Sequence, residues 1–228
     1  MNHYLQYINF TLEFWWSKSI SIGTFFKPNN KLLNMNIAIL GATGNFGITL
    51  TSKLLAVTDH HLTLISTSAG DKFEDNYRIT AKSVDATNIR TLKKALKDCD
   101  LVYCAISGDY LPVMVDNIIS CSPKRLIFMT TVGVYNELEN APQLNVENEP
   151  LQIPKQYSVD LIENSDIDYT ILRLGLLEYG DEDDYVITEK GENVKTQQTT
   201  VESVIKTALE IIDNPELYSR ESISITKK

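Results

Sequence analysis

The segment MNIAILGATGNFG, residues 35–47, decides the fold of this 228-residue chain. Residues 37–40 form a short, wholly apolar run, which is typical of a strand buried on both faces of a parallel sheet. Gly41, Gly44 and Gly47 follow directly and open a segment with a helical pattern. In this context the first glycine permits a tight turn, the second lets the backbone approach a pyrophosphate, and the third lets the helix pack closely on the strand. The helix N-terminus then presents free N–H groups to the anion.

Short apolar runs alternate with helix-like segments along the rest of the chain. We predict strands at 37–40, 62–65, 78–84, 101–106, 126–130, 169–172 and 222–225, and helices at 46–57, 88–97, 112–120, 157–164 and 201–212. Two segments, 136–154 and 178–198, are predicted as loops that can cover a substrate. This alternation predicts an α/β fold with a doubly wound parallel sheet and helices on both faces. Such a sheet binds its ligand beyond the carboxyl ends of its strands, where the strand order reverses.

Residues 1–34 differ in kind from the remainder and hold both tryptophans, Trp15 and Trp16. Polar residues interrupt every apolar run there, so none reaches the ~18 residues that a membrane span requires. A basic start before a clean apolar stretch, as in a secretory signal, is absent too. We predict a non-native or poorly ordered leader, followed by one domain over 35–228 with a small C-terminal region that covers the substrate. An aromatic segment that binds an interface or a partner is the alternative.

The formal net charge of −9 limits the classes of partner. An acid-rich chain repels phosphate backbones and anionic lipid, so we expect no direct binding of nucleic acid or of a membrane surface. The three cysteines form no CxxC and cannot all pair, which indicates a reducing, cytoplasmic location. Four consecutive acids, Asp181–Asp184, point in different directions; we interpret them as a solvated turn and expect no metal site.

The glycine loop and the order of strands resemble the short-chain dehydrogenase/reductase superfamily, and most closely its atypical branch, the NmrA-like NAD(P)H-binding proteins. Further matches are Asp85-Ala86, the run from Thr130 to Tyr135, and the run from Asp168 to Arg173. The resemblance covers 35–228 and implies a Rossmann-type, NAD(P)-binding oxidoreductase-like protein. It implies adenine contact at Asp85, although this residue is also a candidate N-cap of the next helix. The cofactor-binding residues that we expect on this basis are Gly41, Thr43, Gly44, Asn45, Phe46, Gly47, Asp85, Ala86, Ala105, Ile106, Ser107 and Arg173.

The residues after the second strand bear on the choice of nucleotide. NAD-selective domains carry an acid about 20 residues past the glycines, where it binds the ribose 2′-hydroxyl. Here the region 66–70 holds no carboxylate, and the first acid is Asp71. Hydroxyls and an ammonium that can donate to a 2′-phosphate come instead from Ser66, Thr67, Ser68 and Lys72. This favours NADP, with NAD as the other candidate.

Typical members of the superfamily reduce carbonyls with a Ser or Thr, a Tyr, and a Lys four residues after that Tyr. None of the eleven tyrosines here has Lys at that spacing. Thr131 matches the hydroxyl position, Tyr157 lies in about the right place downstream, and we expect the nearby Lys155 to face elsewhere. We therefore predict Thr131, Tyr157 and Tyr135 as catalytic residues, while purely structural roles for all three stay open.

An unassisted Tyr has a pKa of about 10, so it can donate a proton but is a poor base. Together these features favour an NADPH-dependent reductase of a small carbonyl or quinone-like substrate. The missing Lys favours the alternative, a non-catalytic NAD(P)H-sensing regulatory protein with a protein partner.

Overall fold

The computed structural model describes residues 34–178 and 185–228. The predicted leader up to residue 33 and the acidic run Asp181–Asp184 lie outside the described residues. The strands are β1 (Asn36–Leu40), β2 (His61–Ser66), β3 (Ile79–Ser83), β4 (Leu101–Cys104), β5 (Leu126–Thr131), β6 (Tyr169–Leu174), β7 (Leu176–Glu178), β8 (Tyr185–Glu189), β9 (Gln198–Thr200) and β10 (Glu221–Lys227). The helices are α1 (Asn45–Val57), α2 (Ala69–Lys72), α3 (Ile89–Leu96), α4 (Leu111–Ser120), α5 (Ile153–Glu163) and α6 (Val201–Asp213).

Within the described residues, the main sheet has eight strands in the order β3-β2-β1-β4-β5-β6-β10-β8. The first seven of these run parallel, and β8 pairs antiparallel with β10. The strand order reverses between β1 and β4, because β2 and β3 lie on one side of β1 and the later strands on the other. The predicted doubly wound α/β fold is confirmed, and the seven predicted strands all form.

Alternate residues of each strand point to opposite faces, and both faces are covered by helices. Ile37 and Ile39 of β1 pack with α1 and α6, whereas Ala38 and Leu40 pack with α3, α4 and α5. The side chains of all four residues are almost fully buried. This two-sided burial explains why β1 is a continuous apolar run and not an alternating one.

Two parts of the prediction need correction. The segment 178–198, predicted as a loop, contains β8, whose pairing with β10 makes the sheet mixed at this end. The helix predicted at 157–164 begins four residues earlier, at Ile153, and Pro154 lies in its first turn. Pro is tolerated there because the first helical N–H groups have no intrahelical acceptor. No helix in the described part of the chain is long and apolar enough to span a membrane.

Candidate functional site

The candidate site lies at the carboxyl ends of β1, β4 and β5, where the strand order reverses. The glycine loop follows β1, residues 105–107 follow β4, and Thr131 ends β5. Ala105 N–H donates to the carbonyl of Leu40 at 3.0 Å, so the segments after β1 and β4 are in contact. A ligand in an open parallel sheet binds at this kind of crevice.

Two glycines of the loop occupy positions that a side chain cannot share. Gly41 has φ of +83°, and a Cβ there would lie 2.7 Å from the carbonyl oxygen of Ala105. A Cβ on Gly47 would lie 2.4 Å from the Gly41 oxygen and 2.7 Å from Cα of Ala42. The tight turn and the close approach of helix to strand that the sequence predicted are therefore both present.

Gly44 has a different environment, which fits an anion. It is the N-cap of α1 in an extended conformation, and a Cβ there would meet only the Gly41 oxygen, at 3.3 Å. The first helical hydrogen bond runs from Ile48 N–H to the Gly44 carbonyl, and α1 has no side-chain cap and no acid in its first turn. Within the described ranges, the N–H groups of Asn45, Phe46 and Gly47 therefore have no acceptor. They fit the pyrophosphate of a dinucleotide.

The residues predicted at the ribose and adenine follow β2 and β3. Thr67 is exposed, Ser66 and Ser68 are half-buried, and Ser68 N–H donates to the Ser66 hydroxyl at 3.3 Å. Asp85 is exposed and accepts from the N–H and hydroxyl of Thr87, and these bonds hold the pKa of Asp85 below its ordinary value. The N-cap of α3 is Asn88, so the capping alternative for Asp85 is wrong.

Three side chains meet at the end of β5. The Gln152 amide nitrogen donates to the carbonyls of Val132 and Leu144, both at 3.1 Å, so the amide oxygen must face Thr131. The Thr131 hydroxyl donates to that oxygen at 2.6 Å, and Lys155 Nζ donates to the Thr131 oxygen at 3.3 Å. Burial lowers the pKa of Lys155, and the charge of Glu149 partly opposes this shift.

This cluster corrects the predicted roles of Lys155 and Tyr157. Residues two apart on an α-helix point about 200° from each other. Because Lys155 faces Thr131, Tyr157 faces away from it; its side chain is 56% exposed. No described residue hydrogen-bonds the Tyr157 hydroxyl. Leu151 and Lys155 have the spacing of the usual Tyr and Lys, with leucine in the first position, so a pattern that requires tyrosine does not detect them.

Tyr135 and Arg173 belong to a polar cluster that also contains Glu137 and Glu163. The Tyr135 hydroxyl donates to Glu163 at 2.7 Å, and burial raises the pKa of Tyr135. Arg173 is 0% exposed, forms a 2.7 Å ion pair with Glu137, and lies over the Tyr135 ring. Arg173 therefore offers no surface to a cofactor, which corrects its predicted role. The Tyr135 hydroxyl is held by Glu163 and not directed at Thr131.

Comparisons with known proteins agree with this geometry. A family model described as NAD(P)H-binding matches residues 41–215. A wide-type short-chain dehydrogenase/reductase from Veillonella parvula DSM 2008, solved in complex with NADP, is 25% identical with a TM-score of 0.75, over 86% of this chain and 95% of that chain. A Rossmann-fold NAD(P)-binding family protein from Shigella flexneri is 28% identical with a TM-score of 0.72, over 86% and 94%. An anaerobillin reductase from Escherichia coli O157:H7, 16% identical with a TM-score of 0.69 over 84% and 97%, shares the fold. A search of curated proteins by sequence found no match.

Proposed function

The chain belongs to the NAD(P)H-binding family, and from this premise we propose that it is an NADPH-dependent reductase of a small carbonyl or quinone-like compound. The observation that carries the proposal is the contact between Lys155 Nζ and the Thr131 hydroxyl at the carboxyl end of β5. An ammonium held by a hydroxyl, at the same end of the sheet as the glycine loop, can donate to a carbonyl oxygen as it becomes an alkoxide.

The residues present fit the dinucleotide. The free N–H groups at the start of α1 are suited to its pyrophosphate, and Asp85 is exposed for the adenosine half. The hydroxyls at 66–68, with no carboxylate before Asp71, favour a 2′-phosphate and hence NADPH. The NADP bound to the Veillonella relative supports the same preference. When bound, the reduced nicotinamide supplies a hydride; the protein supplies orientation and a proton.

Exposed leucines in the segments that adjoin the Thr131 cluster favour an apolar substrate. Leu151 immediately precedes Gln152, and its side chain is 77% exposed. Leu176 and Leu177 follow the end of β6, which pairs with Thr131 through Leu174, and both are exposed as well. Apolar side chains around a few polar groups are typical of small-molecule sites. An aromatic aldehyde or a quinone matches this environment better than a sugar or a charged acid does.

A substrate panel tests the proposal. Aromatic aldehydes, quinones and charged keto acids are offered with NADPH, and its absorbance is followed beside a direct cofactor-binding titration. We expect turnover of the apolar carbonyls. Gly44→Val, which crowds the pyrophosphate, is the matched control and should lose both binding and turnover. Binding of NADPH without turnover of any compound contradicts the proposal.

One observation favours a second candidate function. Leu151 stands where an active tyrosine is expected, one helical turn before Lys155. A site that binds the nucleotide without a phenol suits a non-catalytic NAD(P)H sensor with a protein partner. The same panel separates the two functions, because a sensor binds NADPH and leaves every carbonyl unreduced.

A further inference from the structure

The hydrogen-bond directions around Thr131 determine which group can donate to a substrate. The carbonyls of Val132 and Leu144 accept from the Gln152 amide nitrogen and so fix the orientation of the amide. Gly133 makes this possible: its φ is +94°, and a Cβ there would lie 2.4 Å from the Leu144 oxygen. The single proton of the Thr131 hydroxyl is then used on Gln152. Thr131 is left as an acceptor, and it accepts from Lys155.

Of the three side chains in this cluster, Lys155 is therefore the one with a proton left to donate. An ammonium carries three N–H groups, of which one is directed at Thr131. Leu151 lies four residues earlier on a continuous helical path through the 3₁₀ turn Pro150–Gln152 into α5. Leu151 therefore has the four-residue spacing to Lys155 that the usual tyrosine has. A leucine has no proton to give.

We propose that Lys155 is the catalytic proton donor of the reduction, and that Thr131 and Gln152 are positioning residues that aim its ammonium. This rests on the proposed function. As hydride reaches the carbonyl carbon, Lys155 gives one Nζ proton to the carbonyl oxygen. An N–H bond breaks, an O–H bond forms, and the carbonyl becomes an alcohol. The neutral amine then takes a proton back from water.

The ionisation of Lys155 suits this task. Burial lowers the pKa of Lys155 from its ordinary 10.5, which makes its proton easier to transfer. Of the titratable groups in the described ranges, Glu149 is the one whose charge acts on Lys155, and it partly opposes this lowering of the pKa. Because the donor must be protonated, turnover should fall about tenfold per unit as pH rises above the pKa of Lys155.

The first test needs no turnover. The free protein is acetylated with limiting acetic anhydride over a pH series, and mass spectrometry follows each lysine. Lys155 should titrate below 10.5. Lys124, exposed and paired with Asp100, is the internal control and should titrate above 10.5. A Lys155 that titrates with Lys124 overturns the proposal.

The second test uses 4-nitrobenzaldehyde and NADPH. Lys155→Met should lower kcat by about 10²–10⁴-fold, the usual contribution of a general acid. Lys124→Met removes the same charge at the amino end of β5, away from the candidate site, and should leave kcat unchanged. Lys155→Arg keeps the charge but does not release a proton at these pH values, so kcat should stay low. Thr131→Val should lower kcat less than Lys155→Met does, and it should change the pH profile of kcat. Thr131→Ser keeps the hydroxyl and should restore both kcat and the pH profile.

Leu151→Tyr in the Lys155→Met protein provides a rescue experiment. The phenol would stand one turn before position 155 and should recover part of the lost kcat. Full turnover by Lys155→Met, or rescue by Lys155→Arg, overturns Lys155 as proton donor and leaves the proposed function standing. A wild-type protein that binds NADPH but reduces neither this aldehyde nor the panel overturns the proposed function and this inference together. Thermal melts of each variant show that the fold is retained.

Discussion

Gly44 and Gly47 stand three residues apart in the same loop, yet we expect substitution of Gly47 to affect mainly stability and substitution of Gly44 to affect mainly NADPH binding. In Gly47→Ala the new methyl group would lie 2.4 Å from the Gly41 oxygen and within 2.9 Å of two backbone atoms of Ala42. Backbone cannot rotate aside as a side chain can. Overpacking of this kind costs about 1–3 kcal/mol, or about 2–12 °C in Tm for a domain of this size. The helix propensity gained at this position offsets less than ~1 kcal/mol.

Gly44 has an ordinary extended backbone, with φ of −82° and ψ of 167°, so a side chain there creates no backbone strain. Val is a poorer N-cap residue than Gly, so Gly44→Val should lower the free energy of unfolding by about 0.5–1 kcal/mol, less than Gly47→Ala does. The branched side chain does occupy the approach to the free N–H groups of α1. The Kd for NADPH should therefore rise at least 10-fold, about 1.4 kcal/mol.

The assay measures thermal melting and NADPH fluorescence titration on both variants. The expected result is the larger fall in Tm with Gly47→Ala, and a smaller fall in Tm together with weaker NADPH binding for Gly44→Val. An unchanged Tm in Gly47→Ala would refute the packing argument. Unchanged affinity in Gly44→Val would show that the start of α1 is not the phosphate site.

Three further predictions follow from single residues. Thr67→Asp places a carboxylate where a 2′-phosphate is expected, so the ratio of the NADPH and NADH dissociation constants should reverse; a wild-type preference for NADH would contradict the argument. Glu137→Gln leaves the fully buried Arg173 without its carboxylate, and urea denaturation should show a loss of about 3–5 kcal/mol in the free energy of unfolding. Burial lowers the pKa of His60 below 6.5, so below pH 6.5 the unfolded chain binds a proton that the folded chain does not. The free energy of unfolding should therefore fall by up to ~1.4 kcal/mol for each pH unit below 6.5. This contribution should be absent in His60→Gln.

Local patterns in the sequence determined the fold and the nucleotide end of the candidate site. The apolar run at 37–40, the spacing of Gly41, Gly44 and Gly47, and the alternation of strand and helix each depend on residues close together in the chain. A tight turn requires glycine wherever the rest of the chain lies, and a strand buried on both faces is apolar throughout. These predictions therefore needed no knowledge of distant contacts. The strand β8 was not predicted, because it forms by pairing with β10, which lies far from it in the sequence.

Tertiary structure decided which side chains stand at the chemical end of the site. Thr131 and Lys155 are 24 residues apart, and they meet because β5 ends beside the first turn of α5. Whether Lys155 or Tyr157 faces that strand depends on how α5 is rotated about its axis, which the packing of its apolar face determines. The environment of Arg173 also depends on a distant contact, because its partner Glu137 is 36 residues away in the sequence. This pair buries a charge that the sequence alone suggested was free to bind a ligand. Spacing within a motif places neighbours along the chain, whereas the direction of a side chain depends on the elements packed against it.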